Sequence, residues 1–171
     1  MTMDDFITLI ELKSPPAPLD QLEAFEAELG GRLPDDYRQF LARTNGGVIR
    51  GWYRFKGRTP GGGLEYAYLH HVGGLREELH FSLRFHRGCC LNPESGFPTA
   101  LLWIMDDPGG NGICIGLAGA QRGKVYFWIH DELPDPDEWD GAVETASNVI
   151  LLTESFADFV AGIGPREDGD D

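Results

Sequence analysis

The middle third of the chain holds several side chains of the types that bind zinc. The imidazole and thiol candidates are His70, His71, His80, His86, Cys89 and Cys90. Imidazole nitrogen and thiolate sulfur are common zinc ligands, but the spacing of these residues fits no standard ligand set. Adjacent residues on a strand point to opposite faces, so neither the neighbouring histidines nor the neighbouring cysteines are expected to converge. The sequence therefore predicts no metal site and no cofactor, and it favours surface histidines and packed thiols.

Two carboxylates precede a glycine-rich stretch in the sequence DDPGGNG at 106–112. A calcium loop of the EF-hand type needs alternating oxygen ligands and a distant Glu, and a phosphate loop needs Gly-Lys followed by Ser or Thr. Neither pattern is present, so we predict a hairpin turn. No GxSxG elbow marks a nucleophilic serine, and Thr153 or Ser155 suits a helix N-terminus. The sequence thus predicts no catalytic residue.

An acidic run, IHDELPDPDEWDG at 129–141, has the composition of a recognition surface. We predict that it binds a partner through Asp131, Glu132, Asp135, Asp137, Glu138, Trp139 and Asp140. Pro134 and Pro136 stiffen the run without burying it, and Trp139 offers an aromatic anchor inside a charged rim. In the alternative interpretation the loop is solvated and Trp139 folds back onto the core. Paired carboxylates also suit glycoside hydrolysis, but nothing in the sequence fixes their separation.

The charge of the chain is strongly negative and unevenly spread. There are 28 acidic and 14 basic residues, which give a net charge of -14. Residues 50–88 hold seven Arg and Lys against three Glu, whereas residues 125–171 hold thirteen acids against Arg166 alone. This balance disfavours direct nucleic acid binding, because the phosphate backbone is itself negative. A field of one sign steers oppositely charged proteins, so the predicted partner is a basic protein.

Length and composition predict a single domain outside the membrane. The 171 residues, 42% of them hydrophobic, suffice for one sizeable core. No apolar run approaches the roughly 20 residues needed to cross a bilayer, and the start MTMDDFITLIELK carries acids where a secretory signal carries bases. We therefore expect a cytoplasmic protein. Cys89, Cys90 and Cys114 are an odd number of cysteines, which favours reduced thiols.

Apolar periodicity predicts helices near both ends of the chain. The predicted helices are at 19–29, 34–44 and 154–163. The second of them begins at Pro34, and Asn45 and Gly46 are expected to cap its C-terminus. Segment 4–12 fits a helix or a strand, and we favour a helix. Segment 75–86 fits both periods equally well.

Between these helices the composition changes toward residues that favour strands. Strands are predicted at 48–55, 64–69, 99–106, 113–118 and 124–130, where Tyr, Trp, Val and Ile are enriched. Glycine-containing connections at 109–112 and 119–123 have the length of hairpin turns, so the last three strands should form an antiparallel meander. The predicted fold class is α+β, with a mostly antiparallel sheet of about six strands covered by helices.

Four segments together carry a resemblance to a known family. They are LEAFEAELGGR at 22–32, LPDDYRQFLARTNGG at 33–47, DDPGGNGICIGLAGAQRGKVYFWIHDE at 106–132 and NVILLTESFADFV at 148–160. In this order they resemble the SUKH superfamily, which includes fungal cell-wall regulators of the Smi/Knr type and many bacterial immunity proteins. Ser155 and Phe156 match the usual SF pair of that family. About half of the chain is covered, whereas residues 51–100 are longer and richer in Gly and Arg than the family pattern.

The resemblance implies a SUKH-like domain at 1–165, and the acidic residues at 166–171 are expected to form a disordered tail. It also implies a non-enzymatic immunity protein that neutralises a cognate bacterial toxin, typically a basic nuclease or deaminase. In that case the acids of 131–140 would face the basic groups with which the toxin holds nucleic acid. The resemblance leaves open a regulatory or scaffold adaptor like the fungal members. An enzyme is a third interpretation, since a fold does not exclude catalysis.

Overall fold

The computed structural model describes residues 1–11, 14–55, 67–76, 81–92, 95–135, 137 and 139–166. Within these ranges the chain forms five α-helices and two antiparallel sheets, one of seven strands and one of three. The predicted α+β class with a mostly antiparallel sheet is confirmed, although the structure adds strands to the six or so expected. Among the described residues, no helix combines the length and the apolar composition that crossing a membrane requires.

The helices lie close to the positions predicted from the sequence. They are α1 Met3–Leu9, α2 Leu19–Leu29, α3 Asp35–Leu41, α4 Leu83–Cys90 and α5 Phe156–Ala161. Helix α2 ends at Gly30, which has a left-handed φ of 73°. The Ser155 hydroxyl caps α5 by accepting a hydrogen bond from the backbone N–H of Asp158 at 3.1 Å. The three predicted helices are therefore confirmed, with α3 and α5 shorter than expected.

Helix α3 ends early because the residues expected to cap it serve another purpose. The helix stops at Leu41, and Asn45 Oδ1 accepts a hydrogen bond from the backbone N–H of Leu75 at 2.7 Å. Gly46 has a φ of 82°, and a Cβ there would lie 2.8 Å from the backbone nitrogen of Gly74. The predicted capping role of this Asn-Gly pair is thus wrong. The pair instead contacts the segment that follows Val72 and so connects the helical layer to the backbone of that segment.

The strands pair in an order that differs from their order in the chain. They are β1 Ile10–Glu11, β2 Gly47–Ile49, β3 Tyr53–Phe55, β4 Ala67–Tyr68, β5 His71–Val72, β6 Leu101–Asp106, β7 Gly112–Gly116, β8 Val125–Trp128, β9 Val149–Thr153 and β10 Ile163–Pro165. The larger sheet has the order β1-β2-β5-β6-β7-β8-β9, and the smaller has the order β10-β3-β4. Neighbouring strands are antiparallel throughout both sheets.

The meander predicted for the last three expected strands is confirmed as β6-β7-β8, and β9 extends it. The turn predicted at 106–112 connects β6 to β7. In it the Asp107 carboxylate accepts hydrogen bonds from the backbone N–H of Asn111 at 2.8 Å and from its side-chain amide at 2.9 Å. This side-chain bonding explains why an Asp, several glycines and an Asn occur together in the turn.

One predicted strand is wrong in its extent. The sequence predicted a single strand at 48–55, but this strand is interrupted at residues 50–52, where Gly51 has a φ of 77°. Strand β2, before the break, belongs to the larger sheet, whereas β3, after it, belongs to the smaller sheet. Arg50 and Gly51 interrupt the apolar pattern at this point, so the glycine was the local sign of a break, although nothing nearby showed that the chain changes sheets.

Several ambiguous segments are only partly described. Segment 4–12 is helical through Leu9 and then enters β1, so the favoured helix is confirmed for most of its length. Residues 64–66 and 77–80 lie outside the described residues, and the remainder of those segments contributes β4 and the start of α4. Of the predicted tail at 166–171, only Arg166 is described.

The main core lies between one face of the larger sheet and helices α1, α2, α3 and α5. Its centre is a group of aromatic rings: the centroid of Phe156 is 5.1 Å from that of Tyr37 and 5.2 Å from that of Phe40. Phe6 packs on Phe40 at 5.7 Å. All four side chains are at most 1% exposed, and burying each of the three phenylalanines stabilises the fold by roughly 1.5–3 kcal/mol.

The opposite face of the sheet carries a second, smaller apolar cluster. It consists of Cys90, Phe97, Leu101, Cys114, Tyr126, Trp128 and Val143. Successive residues of a strand point to opposite faces of a sheet. Accordingly, Tyr126 and Trp128 belong to this cluster, whereas Val125 and Phe127 belong to the main core. The end of α4 and the chain beyond β8 cover this face. The acidic run is therefore anchored on the smaller cluster.

Candidate partner-binding site

The acidic loop, defined here as residues 129–141, leaves the larger sheet after β8, and the chain returns to the sheet at β9. The base of this excursion is closed by two hydrogen bonds. The backbone N–H of Ile129 donates to the Asn148 carbonyl oxygen at 2.9 Å, and the Asn148 side-chain amide donates to the Ile129 carbonyl oxygen at 3.1 Å. Asn148 is fully buried, and Val143 packs into the smaller cluster. The loop is thus held to the sheet at a fixed position.

The predicted partner-binding carboxylates lie on the outer side of this loop. The exposed ones are Asp131, Glu132, Asp135, Asp137 and Asp140. Glu138 lies outside the described residues, as does Pro136. Asp131 has a nearby imidazole, since its Oδ1 lies 3.0 Å from His130 Nε2. The structure therefore brings the described acids together on one exposed loop, and partner binding through them stays a prediction.

Hydrogen bonds from the loop and from the residues just after it fix the positions of two carboxylates. Asp135 Oδ1 accepts from the backbone N–H of Asp137 at 2.9 Å. Asp140 Oδ1 accepts from the Thr145 hydroxyl at 2.6 Å and from the backbone N–H of Ala142 at 3.0 Å. These donors lower the pKa of the Asp140 carboxyl below its usual value, because they stabilise the charged form. The loop presents its negative charge in a preformed arrangement.

Trp139 is folded back and half-buried. Its indole N–H donates to the Ala142 carbonyl oxygen at 2.9 Å, and its backbone N–H donates to the Asp135 carbonyl oxygen at 2.9 Å. This position resembles the alternative interpretation, in which the Trp turns toward the core. The ring nevertheless keeps a surface that faces solvent, because it forms part of the wall of a cavity.

The cavity has a volume of about 660 Å³ and lies between the acidic loop and the end of α4. It is lined by Cys90, Leu91, Asn92, Gly96, Phe97, Thr99, Leu133, Pro134, Trp139, Asp140 and Gly141. Leu91 is 50% exposed and Leu133 is 53% exposed, and because both line the cavity they leave an apolar surface beside the acids. The sequence analysis missed this cavity. The one sign of it was a leucine placed among carboxylates at position 133.

The prediction that the two neighbouring histidines do not converge is wrong. His70 and His71 do converge, because their ring centroids are 3.8 Å apart, and both rings lie beside Asp106. His70 precedes β5, so the alternation of a strand does not apply to the pair. His86 packs separately against Phe81, with centroids 3.9 Å apart. His80 lies outside the described residues.

The predicted reduced thiols are confirmed, but the prediction that both neighbouring cysteines are packed is wrong for Cys89. All three lie within the described residues, and each is a free thiol. Cys89 is exposed, whereas Cys90 and Cys114 are buried in the smaller cluster. Burial raises the pKa of the Cys90 thiol to about 12 and that of Cys114 well above its usual value. Both buried thiols are therefore neutral packing groups near pH 7.

Comparison with known proteins shows the family of this chain. The sequence model of the SMI1 / KNR4 family (SUKH-1) matches residues 16–162. The chain belongs to this family. The matched range contains every segment on which the resemblance was based, so membership of the SUKH superfamily is confirmed. Of the helices and strands that the structure of this SMI1/KNR4 protein describes, α1, β1 and β10 lie outside the match.

A curated relative of this SMI1/KNR4 protein is found in Bacillus subtilis (strain 168). It is described as "SPbeta prophage-derived uncharacterized protein YokK" and is 28% identical over 154 residues. The alignment covers 82% of this chain and 71% of the relative. The two proteins are thus similar over most of their length.

Proposed function

We propose that this SMI1/KNR4-family protein is a non-enzymatic, cytoplasmic immunity protein that binds a basic protein toxin through the acidic loop. The observation that carries the proposal is the exposure of at least five carboxylates on one anchored loop beside an open apolar cavity. The family is generally non-catalytic. The description of the Bacillus relative as prophage-derived supports a bacterial role over that of a fungal cell-wall regulator.

The loop and cavity together have the composition of a protein-binding surface. Tight interfaces place apolar or aromatic groups in pockets and surround them with a polar rim. Here Leu91, Leu133 and Trp139 supply the apolar walls, while Asp140 lies at the edge. An apolar side chain of the toxin would enter the cavity, and basic side chains around it would meet the carboxylates.

The net charge of -14 makes capture of a basic toxin fast. Charge complementarity raises association rates by about 10- to 1,000-fold at low ionic strength, and salt reduces the effect. The internal hydrogen bonds at Asp135 and Asp140 add to this advantage. They hold the loop in one conformation before binding, so less conformational entropy is lost on association.

Competition with nucleic acid supplies the neutralising mechanism. A nuclease or deaminase holds its substrate with Arg and Lys groups that neutralise phosphates. Carboxylates form strong, charge-assisted hydrogen bonds with the same groups. A loop carrying several carboxylates would therefore occupy the substrate path of the toxin without any chemical step.

The first test is the identity of the bound partner. Co-purification from the native cell, followed by mass spectrometry, should recover a basic nuclease or deaminase, and its gene should neighbour that of this protein. Stoichiometric addition of purified protein should then inhibit the recovered enzyme. Recovery of a non-toxic partner, or of a toxin whose activity is unchanged, would contradict the proposal.

A pair of matched variants tests the surface. Glu132→Lys with Asp137→Lys changes two exposed acids of the loop, and Asp20→Lys with Glu23→Lys makes the same charge change on exposed positions of α2. The loop variant should slow association with the toxin at least about 10-fold at low salt and flatten its salt dependence. The α2 variant should have a much smaller effect. Equal effects of the two variants would remove the loop from the interface.

The second candidate is a regulatory or scaffold adaptor. The apolar cavity favours it to a degree, since a cavity of this size accepts the side chains of a bound peptide as readily as those of a folded toxin. The two candidates differ in genomic context and in partner class. An isolated gene and several non-toxic partners in the co-purification would favour the adaptor.

A further inference from the structure

His70, His71 and Asp106 lie together where β5 pairs with β6, away from the acidic loop in the chain. Each offers one ligand atom, and these atoms all lie within 4.8 Å of one another. His71 Nδ1 is 2.9 Å from Asp106 Oδ2, and His70 Nδ1 is 3.7 Å from Asp106 Oδ1. We propose that these three side chains bind a divalent transition-metal ion such as Zn²⁺. This site is independent of the proposed function.

The separations fit a metal centre after small side-chain movements. Zinc lies about 2.0–2.1 Å from its nitrogen and oxygen ligands, and at tetrahedral angles two such ligands are roughly 3.3 Å apart. The observed separations of 2.9 and 3.7 Å fall on either side of that value, and they end on different oxygens of Asp106. One ligand atom from each residue lies within 4.8 Å of the other two, so side-chain rotations that bring these atoms to about 3.3 Å of one another would admit the ion.

The backbone of the sheet holds the carboxylate in place. The backbone N–H of His71 donates to Asp106 Oδ1 at 2.7 Å, and the backbone N–H of His70 donates to the Asp106 carbonyl oxygen at 2.9 Å. Hydrogen bonds of this kind orient metal ligands in characterised sites. Asp106 thus comes with an outer-sphere donor that fixes the direction of its carboxylate.

A β-bulge explains why Asp106 points toward the histidines. The pairing of β6 with β7 shifts between Trp103 and Met105, so that Ile104 is an extra residue. Ile104 and Met105 both belong to the main core, which reverses the alternation beyond them. Asp106 is therefore on the opposite face, and His71 shares that face because its neighbour Val72 belongs to the main core. Without the bulge, Asp106 would point into the main core.

The donor set and exposure define the class of ion. Two imidazoles and one carboxylate suit Zn²⁺, Ni²⁺ or Cu²⁺ better than Mg²⁺ or Ca²⁺, which prefer oxygen ligands alone. The side chains of His70, His71 and Asp106 are 43%, 26% and 17% exposed. An ion can therefore enter from solvent, and with three protein ligands it retains a coordination position for water or for a group on another molecule.

Isothermal titration of tag-free, chelator-treated protein with ZnCl₂ tests the proposal. We expect one ion per chain, with proton release on binding. His70→Gln, His71→Ala and Asp106→Asn should each weaken zinc binding at least about 10-fold. Losing a group that only orients a ligand already weakens metal binding by about 10- to 100-fold, so losing a ligand itself should cost at least the lower of these values. His130→Ala is the matched control, since His130 is a half-exposed imidazole bonded to Asn111 and lies outside the cluster. It should change the affinity less than about twofold.

Two measurements keep the outcome decisive if a variant is unstable. His70 is the most exposed of the three side chains, so His70→Gln should keep the wild-type thermal unfolding curve. Substituting Co²⁺ should give visible absorption bands that the same three variants abolish and that His130→Ala retains. Absence of stoichiometric binding, or binding that any of the three variants leaves unchanged, would overturn the proposal.

Discussion

The contact between helices α2 and α3 offers the sharpest test of the fold. Glu26, on α2, is 9% exposed, and its Oε1 accepts hydrogen bonds from the backbone N–H of Leu33 at 3.1 Å and from Arg38 Nε at 2.9 Å. One carboxylate thus binds both the backbone just before α3 and a cation in the last turn of that helix. Glu26→Gln keeps the shape of the side chain and a carbonyl oxygen, but it removes the charge.

The magnitude follows from the burial of the pair. Removing one partner of a fully buried ion pair costs about 3–5 kcal/mol, because the other charge is left without compensation. The side chains of Glu26 and Arg38 are 11% and 18% exposed, so water screens part of that loss. The remaining amide oxygen still accepts from Leu33. We therefore expect Glu26→Gln to reduce the free energy of unfolding by about 2–3 kcal/mol.

An exposed pair supplies the matched control. Glu11 Oε1, on the edge strand β1, lies 3.3 Å from Arg50 Nε, and the two side chains are 57% and 73% exposed. Glu11→Gln makes the same chemical change and should cost less than about 1 kcal/mol, since exposed ion pairs contribute little. The double variant Glu26→Gln with Arg38→Met should recover part of the loss, because the uncompensated cation is gone.

Urea unfolding followed by far-UV circular dichroism measures these differences. With a slope of about 2 kcal/mol/M, Glu26→Gln should lower the midpoint by roughly 1–1.5 M at unchanged slope. A midpoint within error of that of Glu11→Gln would refute the reasoning, because it would show that burial adds nothing to the contact. A lower midpoint for the double variant than for Glu26→Gln alone would refute the role assigned to the unpaired cation.

Three further predictions concern packing, thiol reactivity and pH. Gly116→Ala should lower the free energy of unfolding by at least about 2 kcal/mol, because a Cβ there would overlap the backbone of Gln121. A Cβ at Gly88 in α4 would meet open space, so Gly88→Ala should raise the free energy of unfolding by about 0.5–1 kcal/mol. Urea midpoints in the opposite order would contradict this. Iodoacetamide should label Cys89 but not Cys90 in the native protein, because only the latter thiol is buried, and peptide mass spectrometry reads the sites. Burial lowers the pKa of the His86 imidazole below its usual 6.5. Just below pH 6.5 the imidazole therefore binds a proton in the unfolded chain and not in the folded one, so the free energy of unfolding should fall as the pH drops through this range. A His86→Phe variant with the same pH dependence as the wild type would exclude this cause.

Sequence reasoning succeeded where the structure depends on neighbours in the chain. Helix α2 follows from its periodic leucines and Gly30, and the β6-β7-β8 meander follows from strand formers separated by glycine turns. The acidic loop was likewise visible, because exposure follows from charge. Family membership also came from such local segments, and the match over 16–162 confirms it.

The candidate sites show where this reasoning stopped. The cavity joins chain near Leu91 to chain near Leu133, and no periodicity relates two segments so far apart. The convergence of His70 and His71 was missed because strand alternation was applied to a residue that lies just outside β5. The position of Asp106 depends on one extra residue in β6, and a bulge leaves no mark in the composition of a strand.

The sequence by itself determined the composition of the core, the α+β class and the concentration of acids at 129–141. Its local signals, namely periodicity, caps and turns, act over a few residues and can be read without knowing their surroundings. The tertiary structure alone decided that residues 48–55 divide between two sheets, that the acidic loop borders a cavity and that Asp106 meets two imidazoles. These outcomes depend on which distant segments pack together, and packing energies between such segments override the preferences of a short stretch of chain.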